Sequence, residues 1–362
     1  MRHWGKGWTG AMARIVVYGL GDLGEKLAYA LASSLEAPHV LVVAGRSPPQ
    51  VQDAAAMAMM VAAARGRGLH VQGQAFPLTP LAEAAFRDLA PDVVVFAATR
   101  HTWWRVAELP EGARRALARG GFGAWLPAHA DLALDVARVL ASLPTPPWLL
   151  LAPYPDAVAP LVKALGYPRV AGFGNVDELA MVASLRYPGR AVRLVAHHSV
   201  EARLFAGQGV PPYRLWVNDQ GAWTEGTLER PFRWPAGTRS HIWTAASAAR
   251  LVVRLLGDGL APVHVPGPHG LVGGYPCQVG DRRLQLDLPP AVSAEEAAEV
   301  NGAGQRADGL ERIDPDGRVW FTADCRTALA EAFGLEWRHL ALDDMHGAAD
   351  QLLAKVHEMV RD

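Results

Sequence analysis

Three glycines near the start of the chain have a spacing that lets the backbone approach an anion. They lie within Arg14-Ile-Val-Val-Tyr-Gly-Leu-Gly-Asp-Leu-Gly24. The first glycine permits a tight turn, the second lets a pyrophosphate come close, and the third lets a helix pack closely on a strand. Amides at the helix N-terminus would face the anion. The loop therefore predicts dinucleotide contacts from Gly19, Gly21, Asp22, Leu23 and Gly24.

The segments on either side of these glycines have the periodicity of a strand and a helix. An apolar strand precedes them, and leucines at positions 23, 27, 31 and 35 follow at helical spacing. The segment 39–44 then reads as a second buried strand. This order predicts a Rossmann mononucleotide-binding unit. The alternative is a doubly wound sheet that uses the glycines only as a turn.

The end of the second strand indicates which dinucleotide binds. An NAD-specific site usually has an acidic residue there, which hydrogen-bonds the ribose 2′-hydroxyl. This chain has Ala44-Gly-Arg-Ser47 instead. Arg46 and Ser47 can bind a 2′-phosphate through charge-assisted hydrogen bonds. We therefore expect NADP(H) as the cofactor, with NAD(H) also possible. The alternative is that Arg46 is a surface residue and the site does not discriminate between NADP(H) and NAD(H).

The alternation of strands and helices specifies the fold class. Segment 92–98 is an uninterrupted apolar run typical of a parallel sheet covered on both faces, and 148–152 is another such strand. Ala97, at the end of the former, is expected to line the cofactor site. The sequence predicts an α/β fold: a doubly wound parallel Rossmann sheet followed by an α+β C-terminal domain. The expected bounds are 1–12 for an N-terminal extension, 13–168 for the dinucleotide-binding domain and 169–362 for the substrate domain.

Composition bounds the class of partner. The 362 residues are 50% hydrophobic and 20% charged, with a formal net charge of −1. The net charge therefore gives no overall electrostatic field that would favour binding to nucleic acid or to an anionic membrane. The cysteines, Cys277 and Cys325, lack metal-site spacing and are too few for a disulfide framework. We expect a cytoplasmic protein with a small-molecule substrate and no metal site.

Several segments, taken together, resemble the lactate/malate dehydrogenase family. Segment 149–174 is similar to that family's strand, Asn-Pro loop, helix and Val-x-Gly-x-Gly sequence. Segments 129–137, 192–199 and 245–257 resemble the preceding helix, the strand that delivers the catalytic histidine and a small-residue helix. The match runs in order over about 13–290. It implies hydride transfer with a nicotinamide cofactor and assembly as a homodimer or tetramer.

The resemblance also assigns catalytic residues. It places the catalytic histidine at His198, with His197 adjacent, and an orienting carboxylate at Glu178 or, one residue away, Asp177. Imidazole suits proton transfer because its pKa lies near working pH. Arg100 and Arg105 stand in the loop from which the family draws arginines that polarise the carbonyl and hold the substrate.

Two departures from the family alter the expected substrate. Met181 replaces the arginine that grips a substrate carboxylate, and Tyr154 replaces the Asn of the Asn-Pro turn. Ser240 is assigned to the substrate site on the same resemblance. We therefore expect an oxidoreductase acting on a hydroxy, oxo or imine compound other than a simple 2-hydroxy acid. The alternative is a catalytically inactive NAD(P)-binding regulatory protein. The sequence assigns no role to the inserted segment 301–345.

Overall fold

The computed structural model describes residues 12–78, 82–218, 226–230, 232–234 and 237–361. All but the last residue of the expected extension, 1–12, lies outside the described residues.

A six-stranded parallel sheet forms the first part of the chain. The strand order is β3-β2-β1-β4-β5-β6, which confirms the doubly wound Rossmann topology. Apolar residues predominate in the strands that are covered on both faces, whereas the edge strand β3 is mostly polar and partly exposed. The strands are β1 (Arg14–Tyr18), β2 (Val40–Gly45), β3 (His70–Ala75), β4 (Val93–Phe96), β5 (Trp148–Leu151) and β6 (Val170–Gly172).

Alternate side chains of β1 enter two separate hydrophobic clusters, one on each face of the sheet. Ile15 and Val17 lie in one cluster, and Val16 and Tyr18 lie in the other. This follows from the two-residue period of a strand. The helices connecting the strands are α1 (Asp22–Ser34), α2 (Pro48–Ala64), α3 (Ala82–Leu89), α4 (Glu111–Gly120), α5 (Leu126–Ala141) and α6 (Pro155–Ala164).

The next part of the chain mixes antiparallel strands and helices, which confirms the expected α+β character. Strand β6 lies beyond residue 168, so the first sheet extends past the expected domain boundary. Strands β7 and β8 pair, and β9, β10 and β11 form a second antiparallel sheet. The elements are α7 (Val176–Arg186), β7 (Val192–Val195), α8 (His198–Phe205), β8 (Arg214–Val217), α9 (His241–Leu256), β9 (Ala261–Pro266), β10 (Gly274–Gly280) and β11 (Arg283–Leu286).

The C-terminal segment returns to the first sheet. Helix α11 packs against α4, and α12 packs against α5. Leu329 of α11 and Leu352 of α12 lie in the same buried cluster as Val16 of the central strand. The segment expected to belong to the second domain thus shares its core with the first. Its elements are α10 (Ala294–Ala307), β12 (Leu310–Ile313), β13 (Val319–Phe321), α11 (Ala323–Phe333), β14 (His339–Leu340) and α12 (Met345–Arg361).

Within the described part of the chain, no helix combines the length and apolar character needed to cross a membrane. Cys277 and Cys325 are buried free thiols.

Substitution of Gly24 tests the packing of α1 on the glycine loop. A Cβ at Gly24 would lie 1.7 Å from the carbonyl oxygen of Gly19, whereas a Cβ at Gly21 would have no heavy atom within 4 Å. We expect Gly24→Ala to lower the free energy of unfolding by about 1–3 kcal/mol, because the backbone must move. Urea unfolding followed by circular dichroism measures this. Gly21→Ala is the matched control, and equal midpoints for the two variants would contradict the packing argument.

Candidate functional site

The glycine loop has the geometry expected of a phosphate-binding turn. Gly19 adopts φ +101°, and a Cβ there would lie 2.6 Å from the amide nitrogen of Ala98. Its own amide donates to the carbonyl of Ala44 at 3.1 Å, which holds the turn against β2. Gly21 caps α1, and the space that its Cβ would occupy is open. The backbone is therefore accessible where a pyrophosphate would bind.

The first turn of α1 supplies donors for that anion. The amides of Asp22, Leu23 and Gly24 have no carbonyl partner within the helix, as at every helix N-terminus. The positive end of the helix dipole favours an anion there. The Ala97 amide donates to the carbonyl of Tyr18 at 2.9 Å, which joins β4 to β1 at this edge. The loop thus lies where the strand order reverses, the usual place for a dinucleotide.

The residues predicted to contact a 2′-phosphate lie at the end of β2. Arg46 is exposed, and Ser47 is half-buried as the N-cap residue of α2. No carboxylate follows the strand at this point. The contact of Arg46 and Ser47 with a 2′-phosphate stays a prediction.

His198 is the first residue of α8, not a strand residue as the resemblance implied, because β7 already ends at Val195. Its backbone amide donates to Oδ1 of Asp156 at 2.9 Å. The other carboxylate oxygen of Asp156 accepts from the side chain of Asn175 at 2.7 Å. Asp156 is fully buried, so it fixes the start of α8 and the position of the imidazole.

The side-chain partner of His198 is Asp308. Nδ1 of His198 lies 3.0 Å from Oδ2 of Asp308, and the hydroxyl of Tyr154 donates to the same oxygen at 2.8 Å. The amide of Phe122 donates to Oδ1 at 3.1 Å. Asp308 is 3% exposed, so protein donors replace water around its carboxylate. This buried set of contacts brings together four distant parts of the chain.

Electrostatics keep Asp308 ionised and favour a proton on His198. Burial would raise the pKa of Asp308, but the charge and hydrogen bond of His198 outweigh it and lower that pKa to about 2. Burial would lower the pKa of His198, and the Asp308 carboxylate reverses this, so the His198 pKa is raised. Because an ionised carboxylate can only accept, Nδ1 carries a proton. Nε2 has no hydrogen-bond partner among the described residues, and the side chain is 18% exposed.

The predicted pairing of His198 with Glu178 or Asp177 is wrong. Both carboxylates point towards α9: Asp177 accepts from Arg250 and Glu178 accepts from Thr244 at 2.7 Å. Burial raises the pKa of Glu178 to about 7, so that group is not a fixed negative charge. The first turn of α7 therefore joins α7 to α9, and Glu178 also shares a hydrogen bond with Glu201 of α8.

The two predicted loop arginines are held by carboxylates. Arg100 bridges Asp131 of α5, at 2.8 Å, and Asp350 of α12, at 2.6 Å. Arg105 is exposed and pairs with Glu108 at 3.1 Å. A contact between Arg100 and a substrate would require these ion pairs to open, because both sides of its guanidinium are engaged. Their catalytic roles remain predictions.

Of the three residues assigned to the substrate, Tyr154 contacts the histidine site. It has φ +42° as the N-cap residue of α6, and its ring lies 5.3 Å from that of His198. The Phe122 ring lies 5.0 Å from each of these two rings. Met181 is half-buried in the middle of α7. Ser240 caps α9 and donates to the carbonyl of Gly237 at 3.0 Å, beside the glycine loop instead.

Sequence reasoning missed Asp308, Asp156 and Phe122. Asp308 is 110 residues from His198 and lies in the segment to which the family resemblance does not extend. The glycine-rich sequence Gly120-Gly-Phe-Gly123 is a local signal that could have indicated a close backbone approach, but it does not identify Asp308 as the partner. Asp156 follows the Tyr-Pro turn directly, where a first-turn helix carboxylate is common.

Comparison with solved structures confirms the fold. No family model matches the chain, and no curated protein matches it. The malate dehydrogenase from Aeropyrum pernix is 16% identical, with a TM-score of 0.51 over 81% of this chain and 96% of that one. The lactate dehydrogenase from Eimeria maxima, solved with NADH and oxamate, is 12% identical, with a TM-score of 0.51 over 81% and 92%. The chain thus has the lactate/malate dehydrogenase fold, as the sequence resemblance implied.

A structure of another activity covers more of the chain. The 6-phospho-β-glucosidase from Thermotoga maritima is 12% identical, with a TM-score of 0.54 over 96% of this chain and 99% of that one. Among the residues that the structure describes, no group of three or more His, Cys, Asp or Glu side chains could hold a metal ion. At this identity, the likeness extends to the fold alone.

Asp308→Asn tests the origin of the His198 pKa. Removing the negative charge leaves burial unopposed, so we expect the pKa of His198 to fall. Titration of the imidazole resonances by NMR measures the pKa, and His198→Gln assigns them. Glu178→Gln is the matched control, since Glu178 contacts Thr244 and Glu201 and Asp308 is the described partner of the His198 side chain. An equal fall in both variants would contradict the Asp308 pairing.

Proposed function

We propose that this chain is an NADP(H)-dependent oxidoreductase. It transfers hydride between the nicotinamide and a hydroxy, oxo or imine substrate that is not a simple 2-hydroxy acid. The observation that carries the proposal is the hydrogen bond between His198 and buried Asp308, near the edge of the sheet that also carries the glycine loop. A histidine oriented by a carboxylate is an arrangement suited to proton transfer.

His198 performs the acid–base part of the proposed reaction. The nicotinamide, when bound, supplies or accepts the hydride. During oxidation, neutral Nε2 accepts the hydroxyl proton of the substrate; during reduction, the imidazolium returns a proton to the substrate oxygen or nitrogen. Asp308 is a positioning residue: it keeps Nδ1 protonated and stabilises the imidazolium through its charge.

The aromatic surroundings of His198 support a substrate without a small carboxylate. Phe122 and Tyr154 lie beside the imidazole, and both are uncharged. Met181 replaces the expected carboxylate-binding arginine, and Arg100 is engaged by Asp131 and Asp350. We therefore propose a compound with an apolar or aromatic group next to its reacting carbon.

The alternative is a protein that binds NAD(P) without turnover. Met181 and Tyr154 support it, because both depart from the catalytic pattern of the family. The Asp308–His198 pair opposes it, since the pair leaves Nε2 of the imidazole without a described partner.

Cofactor preference can be measured directly. We expect NADPH to bind at least about tenfold more tightly than NADH, because Arg46 would form charge-assisted hydrogen bonds to the 2′-phosphate. Fluorescence titration gives the two dissociation constants. Arg46→Ala should abolish the difference by weakening NADPH alone. Arg115→Ala, an exposed arginine on α4, is the control. Equal constants for NADPH and NADH in the wild type would contradict the preference.

Turnover is tested with a panel of carbonyl and imine compounds and NADPH, followed by absorbance of the reduced nicotinamide. We expect His198→Asn to lower kcat by about 10²–10⁴-fold and to leave the NADPH dissociation constant unchanged, because it removes only the proton donor. Undiminished turnover in His198→Asn would show that the catalytic assignment is wrong. NADPH binding with no turnover of any compound would favour the regulatory alternative.

A further inference from the structure

A second histidine–carboxylate pair lies at the glycine loop. Nδ1 of His241 lies 2.6 Å from Oδ2 of Asp22. Asp22 is the first residue of α1, and His241 is the first residue of α9. The two helices pack along each other, so their N-termini meet at this pair. The side chain of His241 is 7% exposed, whereas that of Asp22 is 40% exposed.

Among the described residues, Lys26 is the charged neighbour of this pair. Nζ of Lys26 lies 2.5 Å from the same oxygen of Asp22 and also donates to the carbonyl of Thr238 at 3.0 Å. The indole of Trp104, from the turn after β4, lies 5.3 Å from the imidazole and carries no charge. Burial lowers the pKa of His241; the hydrogen bond and charge of Asp22 raise it, and the charge of Lys26 lowers it further. His241 is therefore mainly neutral near neutral pH.

This arrangement places a negative charge beside an anion-binding turn. Asp22 contributes one of the free amides of α1, and its own carboxylate is on the same residue. A pyrophosphate bound to these amides would repel the carboxylate, since like charges a few Å apart disfavour each other. Lys26 supplies one positive charge to this pair. Protonation of His241 would supply a second cation at Asp22 without any rearrangement of the backbone.

We propose that a dinucleotide pyrophosphate binds at the glycine loop together with a proton, which is taken up from solvent by His241. This inference rests on the proposed cofactor site and adds a residue outside its motif. His241 is a positioning residue: as an imidazolium, it neutralises Asp22 and reduces the repulsion between Asp22 and the anion. The uncharged indole of Trp104 lies next to the ring and adds no charge of its own to the pair.

The sign of the pH dependence follows from linkage. The bound anion favours the protonated imidazole, so affinity is greatest where His241 is already protonated in the free protein. Affinity then decreases as pH rises, by up to about tenfold per pH unit, until the histidine of the complex also loses its proton. The decrease begins below the ordinary histidine value because burial lowers the pKa in the free protein.

Calorimetric titration with ADP-ribose tests the proposal. This probe carries the pyrophosphate but has neither the nicotinamide, which would approach His198, nor a 2′-phosphate that itself titrates near neutral pH. Titrations at about pH 7 in two buffers of different ionisation enthalpy give the number of protons taken up. We expect the wild type to take up a substantial fraction of one proton and His241→Gln to take up none. His346→Gln, which alters an exposed histidine paired with Asp131 on α12, should behave as the wild type.

Each outcome is distinct. Binding of ADP-ribose by the wild type with no buffer dependence would overturn the role of His241 and leave the cofactor site standing. Absence of binding of both ADP-ribose and NADPH would overturn the proposed function itself. The wild-type measurement does not depend on any variant folding. Asp22→Asn adds a further check, because removal of the carboxylate should make ADP-ribose affinity nearly independent of pH.

Discussion

The Asp308 carboxylate joins segments that are far apart in the chain. It accepts from the imidazole of His198, the phenol of Tyr154 and the amide of Phe122, which are 110, 154 and 186 residues away. A buried carboxylate without partners would cost several kcal/mol in lost hydration. These donors offset that cost only when α8, the β5–α6 turn and the segment after α4 are all in place. The charge at the site and the packing of the C-terminal segment therefore depend on each other.

The backbone around Asp308 is built for this close approach. A Cβ at Gly121, which has φ +81°, would lie 2.4 Å from the carbonyl carbon of Asp308. A Cβ at Gly123 would lie 2.8 Å from the carbonyl oxygen of Asp308, which accepts from the Gly123 amide at 2.7 Å. Side chains at either position would separate the two segments. The glycine-rich stretch before α5 is thus explained by the carboxylate that it surrounds.

Local patterns in the sequence were sufficient for the first sheet and the glycine loop. The buried strands are apolar runs and the helices between them have a helical period, so their order predicts the topology without knowledge of distant contacts. The prediction of His198 as the candidate imidazole rests on the order of several segments that resemble the family. The partner of His198 could not be predicted, because the position of a carboxylate within a helix does not show which neighbouring element its side chain faces. Asp177 and Glu178 have the expected spacing but contact α9. Arg100 has the expected position in its loop. Its ion pair with Asp350 of α12 could not be predicted, because the two residues are 250 positions apart in the chain.

The two histidine–carboxylate pairs show how surroundings decide protonation. The carboxylates of Asp308 and Asp156 both raise the pKa of His198 and together outweigh the effect of burial, so the His198 pKa is raised. Asp22 is shared with Lys26, so its effect on His241 is partly cancelled and burial prevails. A proton is thus favoured at the position suited to chemistry. It is disfavoured at the glycine loop until another negative charge arrives there, so one type of pair can hold a proton at one site and acquire it at the other.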